Sequence, residues 1–271
     1  MTSKVWFITG ASSGFGRLWM LGALRRGDRV AAAARDIAPI QEVVEEFGDG
    51  VMPLRLDVTD RAAVATAVAA AHKHFGRIDV VVNNAGYGQH GFVEEFSEDE
   101  IRAQMNTNFF GAVWVTQAAL PYLRRQGSGH ILQVTSAGGL VTAPERAIYC
   151  ASKFALEGLS ETLAAEVKPF GIHVTMIEPG YYATGYTAAA KQASAIAAYA
   201  DVHAEMGRAL GQLLGPPGDA ATTVEPVLAI VDAAEPPLRL LLGPGMLDLI
   251  KSVYRERLDE LEAWYPVTSQ A

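Results

Sequence analysis

The chain has 271 residues, 50% hydrophobic and 19% charged, with a formal net charge of −8. That length admits two average domains or one large α/β domain, and no apolar run approaches the roughly 20 residues that span a bilayer. The acidity, with no basic run, argues against nucleic acid or an anionic membrane surface as the main partner. The single cysteine, Cys150, rules out an internal disulfide framework. The opening "MTSKVWFITG" lacks the cleavage site of a secretory signal. Both features point to a reducing cytoplasm.

Short β-branched runs alternate with longer helical patterns. The strand candidates in chain order are 4–9, 29–34, 51–57, 79–84, 130–136, 173–179 and 238–242. Between them lie an Ala-rich helix, "RAAVATAVAAAHKHFG", and a long helical stretch opened by Ser97 with Glu100 three residues on, a capping-box pattern. Strand followed by helix, repeated, predicts a parallel sheet covered on both faces. The strongest Pro/Gly cluster, "GPPGDAATT" at 215–223, is followed by too little chain for a second core. Residues 1–271 are therefore expected to form one domain.

The first strand runs into "TGASSGFG", which places Gly10, Gly14 and Gly16 before a helix. Glycines at a strand-to-helix turn permit positive φ and bring backbone N–H groups close to a pyrophosphate, whose charge the helix N-terminus favours. The spacing is neither G-x-G-x-x-G nor that of a nucleoside-triphosphate loop. Asp57 ends the third strand in "LDVTD", and Asn83, Asn84, Ala85 and Gly86 end the fourth. Taken singly, these read as a helix cap and a turn. Together they fall where such a sheet opens its ligand crevice. His72 and His74 would face different sides of a helix, so no metal-ligand set emerges from the six histidines. Cys150 reads as a small buried thiol.

Over residues 4 to 185 the motifs "TGASSGFG", "LDVTD", "NNAG", "NTNFFG", "VTSAGG", "YCASK" and "EPGYYAT" resemble, in order, those of the short-chain dehydrogenase/reductase family. The resemblance implies a Rossmann-like, doubly wound parallel sheet of seven strands and hydride transfer between NAD(P)(H) and an alcohol or carbonyl. It implies Asn108, Ser136, Tyr149 and Lys153 as catalytic residues. It also implies cofactor contacts from Gly10, Ser12, Gly14, Phe15, Gly16, Arg35, Asp57, Val58, Asn84, Ala85, Gly86, Tyr149, Lys153, Pro179, Gly180 and Thr184.

The chemistry explains why a helix would carry a phenol and an ammonium one turn apart. Ketone reduction needs a proton at oxygen as hydride reaches carbon, and a free tyrosine, with a pKa near ~10, must be made more acidic to supply it. Lys153, four residues after Tyr149, favours the phenolate. The resemblance further implies that Lys153 holds the ribose hydroxyls and that Asn108 holds the backbone and water linking Lys153 to solvent. Ser136 would hydrogen-bond the substrate oxygen.

At the end of the second strand Arg35 precedes Asp36, and a basic residue there can pair with a 2′-phosphate, so NADP(H) is expected over NAD(H). Residues of about 187–218 fall where the family places a lid. Tyr181, Tyr182, Tyr186, Tyr199 and Met206, with Phe92, Leu140 and Val141, would line an apolar pocket or form lid core. The partner is then a small carbonyl or alcohol, of lipophilic type by resemblance to retinol and steroid reductases. After Leu242 the chain leaves the family pattern. A helix at about 246–264 is expected to carry Leu247, Ile250, Tyr254, Leu258 and Leu261 on one stripe, which puts the usual tetramer in doubt while leaving a homodimer or homotetramer as the expected assembly. Two other readings are a sugar-nucleotide epimerase, disfavoured by the glycine spacing and the short chain, and a non-catalytic NADPH sensor, which would have no need of the whole tetrad.

Overall fold

In the computed structural model, which describes residues 3–184, 190–214 and 216–269, all seven expected strands form. They are β1 (Val5–Thr9), β2 (Arg29–Ala34), β3 (Val51–Arg55), β4 (Val80–Asn83), β5 (Gly129–Val134), β6 (Ile172–Pro179) and β7 (Arg239–Leu242). Every pairing among them is parallel, in the order β7-β6-β5-β4-β1-β2-β3. The order reverses between β1 and β4, and a doubly wound sheet opens its crevice at that point.

Alternation along the strands feeds two cores, one on each face. Trp6 and Ile8 join Trp19, Met20, Val227 and Leu228 on one side; Val5 and Phe7 join Val64, Val68, Val115 and Leu163 on the other. The four alanines of β2 have weak strand propensity, yet they are buried between two paired neighbours, and burial decides.

The helices that position the site are α1 (Gly14–Arg25), α2 (Ala38–Phe47), α3 (Arg61–Phe75), α4 (Glu98–Met105), α5 (Gly111–Gln126) and α6 (Ala147–Val167). After them come α7 (Ala200–Leu214), α8 (Val224–Asp232) and α9 (Met246–Thr268). Asp60, the residue after Thr59, caps α3 by accepting hydrogen bonds from Ala62 and Ala63 N–H. The Ser97/Glu100 capping box forms at α4. The third strand ends two residues earlier than expected, so Asp57 lies in the loop beyond it.

Candidate active site

The turn between β1 and α1 is built for close approach. Gly10 and Gly14 have φ of +65° and +53°, where glycine incurs no Cβ strain. A Cβ on Gly16 would lie 2.4 Å from the Gly10 carbonyl oxygen and 2.6 Å from Asn84 Nδ2, so no side chain fits. Among the described residues no side chain caps the N-terminus of α1, and its first turn carries no acid. Its leading N–H groups and positive end therefore suit the pyrophosphate of a dinucleotide.

A residue that sequence reasoning missed holds this turn to β4. Thr9 Oγ1 accepts hydrogen bonds from Asn84 and Ala85 N–H, both at 3.0 Å. Asn84 Nδ2 in return donates to the Thr9 and Gly10 carbonyls, at 2.8 and 3.2 Å. The available signal was a hydroxyl at the last position of a buried strand. Asn83 points the other way, into the core, where its amide donates to Thr116 Oγ1 and Gln133 Oε1.

A cleft of about 780 Å³ runs along these strand ends, lined by Gly10, Ser12, Gly14, Phe15, Arg35, Asp57, Val58, Asn84, Ala85 and Gly86. It continues over Ser136, Tyr149, Lys153, Pro179, Gly180 and Thr184. Phe15 stacks on Trp19 and meets the edge of Tyr182. Burial pushes the Asp57 carboxyl up, but hydrogen bonds from Thr59 N–H and hydroxyl and the charge of Arg35 outweigh it and leave the pKa lowered. Arg35 is exposed just past β2. Asp36 is occupied locally, its Oδ1 accepting from Ala38 N–H at 3.0 Å at the start of α2.

Tyr149 and Lys153 lie on α6, with Lys153 Nζ 5.8 Å from the tyrosine ring centroid and donating to the Val134 carbonyl at 2.8 Å. Burial lowers the Lys153 pKa to about 8, opposed by the carboxylate of Glu157. Ser136 follows β5, and its Oγ accepts from Gly138 N–H at 3.0 Å. A Cβ on Gly138 would come within 3.2 Å of Tyr149 Cε1 and 3.4 Å of Ser136 Oγ, so that glycine lets the two side chains converge. Asn108 sits in a π-helical turn, Asn106–Phe110, between α4 and α5. Such bulges recur at functional sites. Its Oδ1 accepts from Tyr87 N–H, and its Nδ2 donates to the Tyr87 carbonyl and to Ser152 Oγ, clamping that loop to α6. Ser152 was not anticipated. Cys150 is buried, and burial pushes its thiol pKa up.

A family model described as short chain dehydrogenase matches residues 4–195. The chain belongs to the short-chain dehydrogenase family. It is 42% identical over 187 residues, 69% of this chain and 67% of the other, to a 3-ketodihydrosphingosine reductase of Bacteroides thetaiotaomicron. A short-chain dehydrogenase from Streptomyces avermitilis superposes with a TM-score of 0.92 at 36% identity, covering 100% of this chain and 99% of that one. One from Burkholderia phymatum, solved in complex with NAD, gives 0.80 at 28% identity, covering 96% and 95%.

In this short-chain dehydrogenase both readings of the apolar residues apply, some lining the cleft and others packing apart from it. Tyr181, Tyr182 and Val141 line it, whereas Leu140 packs in a small core with Met246 and Ile250. Phe92 and Tyr199 pack on each other and Phe92 on His203, and neither lines the cleft. Tyr186 and Thr187 lie outside the described residues. His203 fastens α7 by two carboxylates, Glu95 at 2.8 Å and Glu145 at 2.5 Å. The last helix forms, and of its predicted stripe Ile250 is buried while Leu247, Tyr254, Leu258 and Leu261 are exposed. The helix docks through Met246, Leu249, Ile250 and Val253, and Arg257 Nη1 donates to the Leu140 carbonyl at 3.0 Å. Of these, Met246, Leu249 and Val253 form a cleft wall that the sequence did not reveal.

Proposed function

We propose that this chain, acting as one catalytic unit, is an NADP(H)-preferring carbonyl reductase or alcohol dehydrogenase. The observation that carries the reading is the convergence of Ser136, Tyr149 and Lys153 on one cleft with the glycine turn at its other end. When bound, the nicotinamide supplies or accepts the hydride. Tyr149 gives its proton to the substrate oxygen in reduction and takes it back in oxidation. Ser136 hydrogen-bonds that oxygen as charge develops. Lys153 favours the phenolate by its charge and holds the ribose. Asn108 positions the Tyr87 loop and α6 beneath them.

Arg35, beside the cleft and free of the turn that engages Asp36, supports the preference for a 2′-phosphate. The wall of Val141, Ala143, Tyr181, Met246, Leu249 and Val253 supports a lipophilic substrate. The similar Bacteroides protein, named for a ketone on a lipid, points the same way. No helix among the described residues is long and apolar enough to cross a membrane, and we place the enzyme in the cytoplasm. The exposed Tyr254, Leu258, Leu261 and Tyr265 of α9 support assembly as a homo-oligomer. Oxidation of NADPH with a panel of ketones and aldehydes tests the proposal; no turnover with any of them, alongside intact NADPH binding, would favour the sensor reading.

A further inference from the structure

Behind Lys153, on the side away from the cleft, lies a group of charges that the proposed mechanism does not use. Glu157 is one turn further along α6, and Glu178 is the penultimate residue of β6; their side chains are 7% and 2% exposed. Arg239 on β7 spans them, its Nε 3.4 Å from a carboxylate oxygen of each, while its Nη2 lies 2.9 Å from Glu161 at the surface. These contacts are long. Among the described residues both oxygens of Glu157 and Oε1 of Glu178 are buried without a well-formed hydrogen bond. A core does not retain such groups cheaply, since an unpaired buried carboxylate is costly.

The cost is understandable if the charge serves the neighbouring ammonium. Lys153 is itself buried, its ammonium donates to the neutral carbonyl of Val134, and the Tyr149 ring lies beside it. A buried ammonium stays charged only beside a counter-charge. Side chains at i and i+4 of a helix are neighbours, and Glu157 stands in that relation to Lys153 as Lys153 does to Tyr149. The Glu157 side chain also runs under the turn that carries Ser136, where its Cγ would lie 3.0 Å from a Cβ on Gly139.

We infer that Glu157 is the counter-ion of Lys153, a positioning residue that acts on the Tyr149 phenol through the ammonium, and that Arg239 and Glu178 keep its negative charge in place. The inference deepens the proposed function and rests on it for its catalytic consequence. The groups facing Glu157 are Lys153 and Glu161 on α6, Thr135 after β5, Glu178 on β6 and Arg239 on β7. Those facing Lys153 are Glu157 and Tyr149. Burial, then the charge of Glu157, push the Glu178 carboxyl up to about 8, against the pull of Arg239. At neutral pH Glu178 therefore holds a proton. Burial raises the Glu157 carboxyl as well, with the charge of Glu161 adding to the rise and with Thr135 and Arg239 opposing it. The guanidinium of Arg239, 3.4 Å from Glu157, is the cation that favours the ionised form of that carboxyl one turn from Lys153.

The test reads Lys153 itself. In protein labelled with ¹³Cε-lysine, the resonance missing from Lys153→Ala is followed against pH. Glu157→Gln should lower its titration by about one unit, a tenfold change in acidity. Arg239→Met, made near the surface, should lower it in the same direction, because Glu157 then takes up a proton. Glu178→Gln, which replaces an already neutral carboxyl, should leave it in place. If Glu157→Gln fails to fold, the Arg239 and Glu178 variants decide. A Lys153 titration unmoved in Glu157→Gln, or in Arg239→Met, overturns the inference, as does one moved equally by Glu178→Gln. The readout needs no turnover, so it stands apart from a failure of the proposed activity, which Tyr149→Phe reports.

Discussion

Lys153 Nζ sits 5.8 Å from the centroid of the Tyr149 ring while its hydrogen bond goes to the carbonyl of Val134. The ammonium is thus fixed by β5 at one side of the phenol. In the proposed mechanism it acts on the tyrosine by charge, and Lys153→Ala should cost both rate and cofactor affinity. The pH–rate profile should move to higher pH as the phenol loses its neighbour. An unchanged profile with intact cofactor binding would reduce Lys153 to a packing residue.

Tyr149→Phe removes one oxygen from a half-buried ring and should leave the fold and cofactor binding nearly intact. Turnover should fall by 10²-fold or more, the usual scale of general acid catalysis. Steady-state assay with NADPH and isothermal titration with cofactor measure the two separately. Retention of more than about a tenth of the wild-type rate would remove the phenol from the proton-transfer role.

Gly16→Ala places a methyl 2.4 Å from a backbone oxygen and 2.6 Å from Asn84 Nδ2. The turn must move, at a cost of about 1–3 kcal/mol. Thermal unfolding should show a lower Tm, and dinucleotide affinity should fall with it. A variant as stable and as tight-binding as wild type would mean that the turn yields without loss.

Arg35→Ala tests cofactor choice. A charge-assisted hydrogen bond to a 2′-phosphate is worth about 1.5–3 kcal/mol, a roughly tenfold to hundredfold preference for NADPH. The ratio of kcat/KM for NADPH to that for NADH should collapse toward one in the variant. Wild type preferring NADH, or a ratio unaffected by the substitution, would reverse the assignment.

The carboxylate pair that holds His203 of α7 gives a pH-dependent prediction. Hydrogen bonds donated to Glu95 and then Glu145 raise the pKa of His203, against the effect of burial. Protonated His203 therefore contributes its tether fully below the unfolded value near 6.5, and the contribution is lost as pH rises through the higher folded pKa. Residues 200–209 should exchange amide hydrogens faster relative to the sheet above neutral pH, and His203→Ala should abolish the pH dependence. Ligand should slow exchange across 190–209 as the segment closes over the nicotinamide face. Protection equal with and without ligand would leave the segment a fixed wall.

Much of this protein is written locally in its sequence. All seven strands of the central sheet, the glycine turn, the Ser97 cap and the Tyr149/Lys153 pair could be read because each depends on near neighbours: period two in a strand, positive φ at a turn, one helical turn between two side chains. Thr9, Ser152 and Glu157 could not be read. Their roles arise from partners as far away as Asn84, Asn108 and Arg239. The last helix shows the same division. Its sequence carries an apolar stripe and announces amphipathicity, but which of its apolar residues face inward was decided by where β7 delivers the chain. Met246 and Ile250 meet Ala137 and Val141 there, and the stripe of Leu258 and Leu261 runs out past the edge of the core. Periodicity states that a face is apolar; only tertiary packing determines what that face meets.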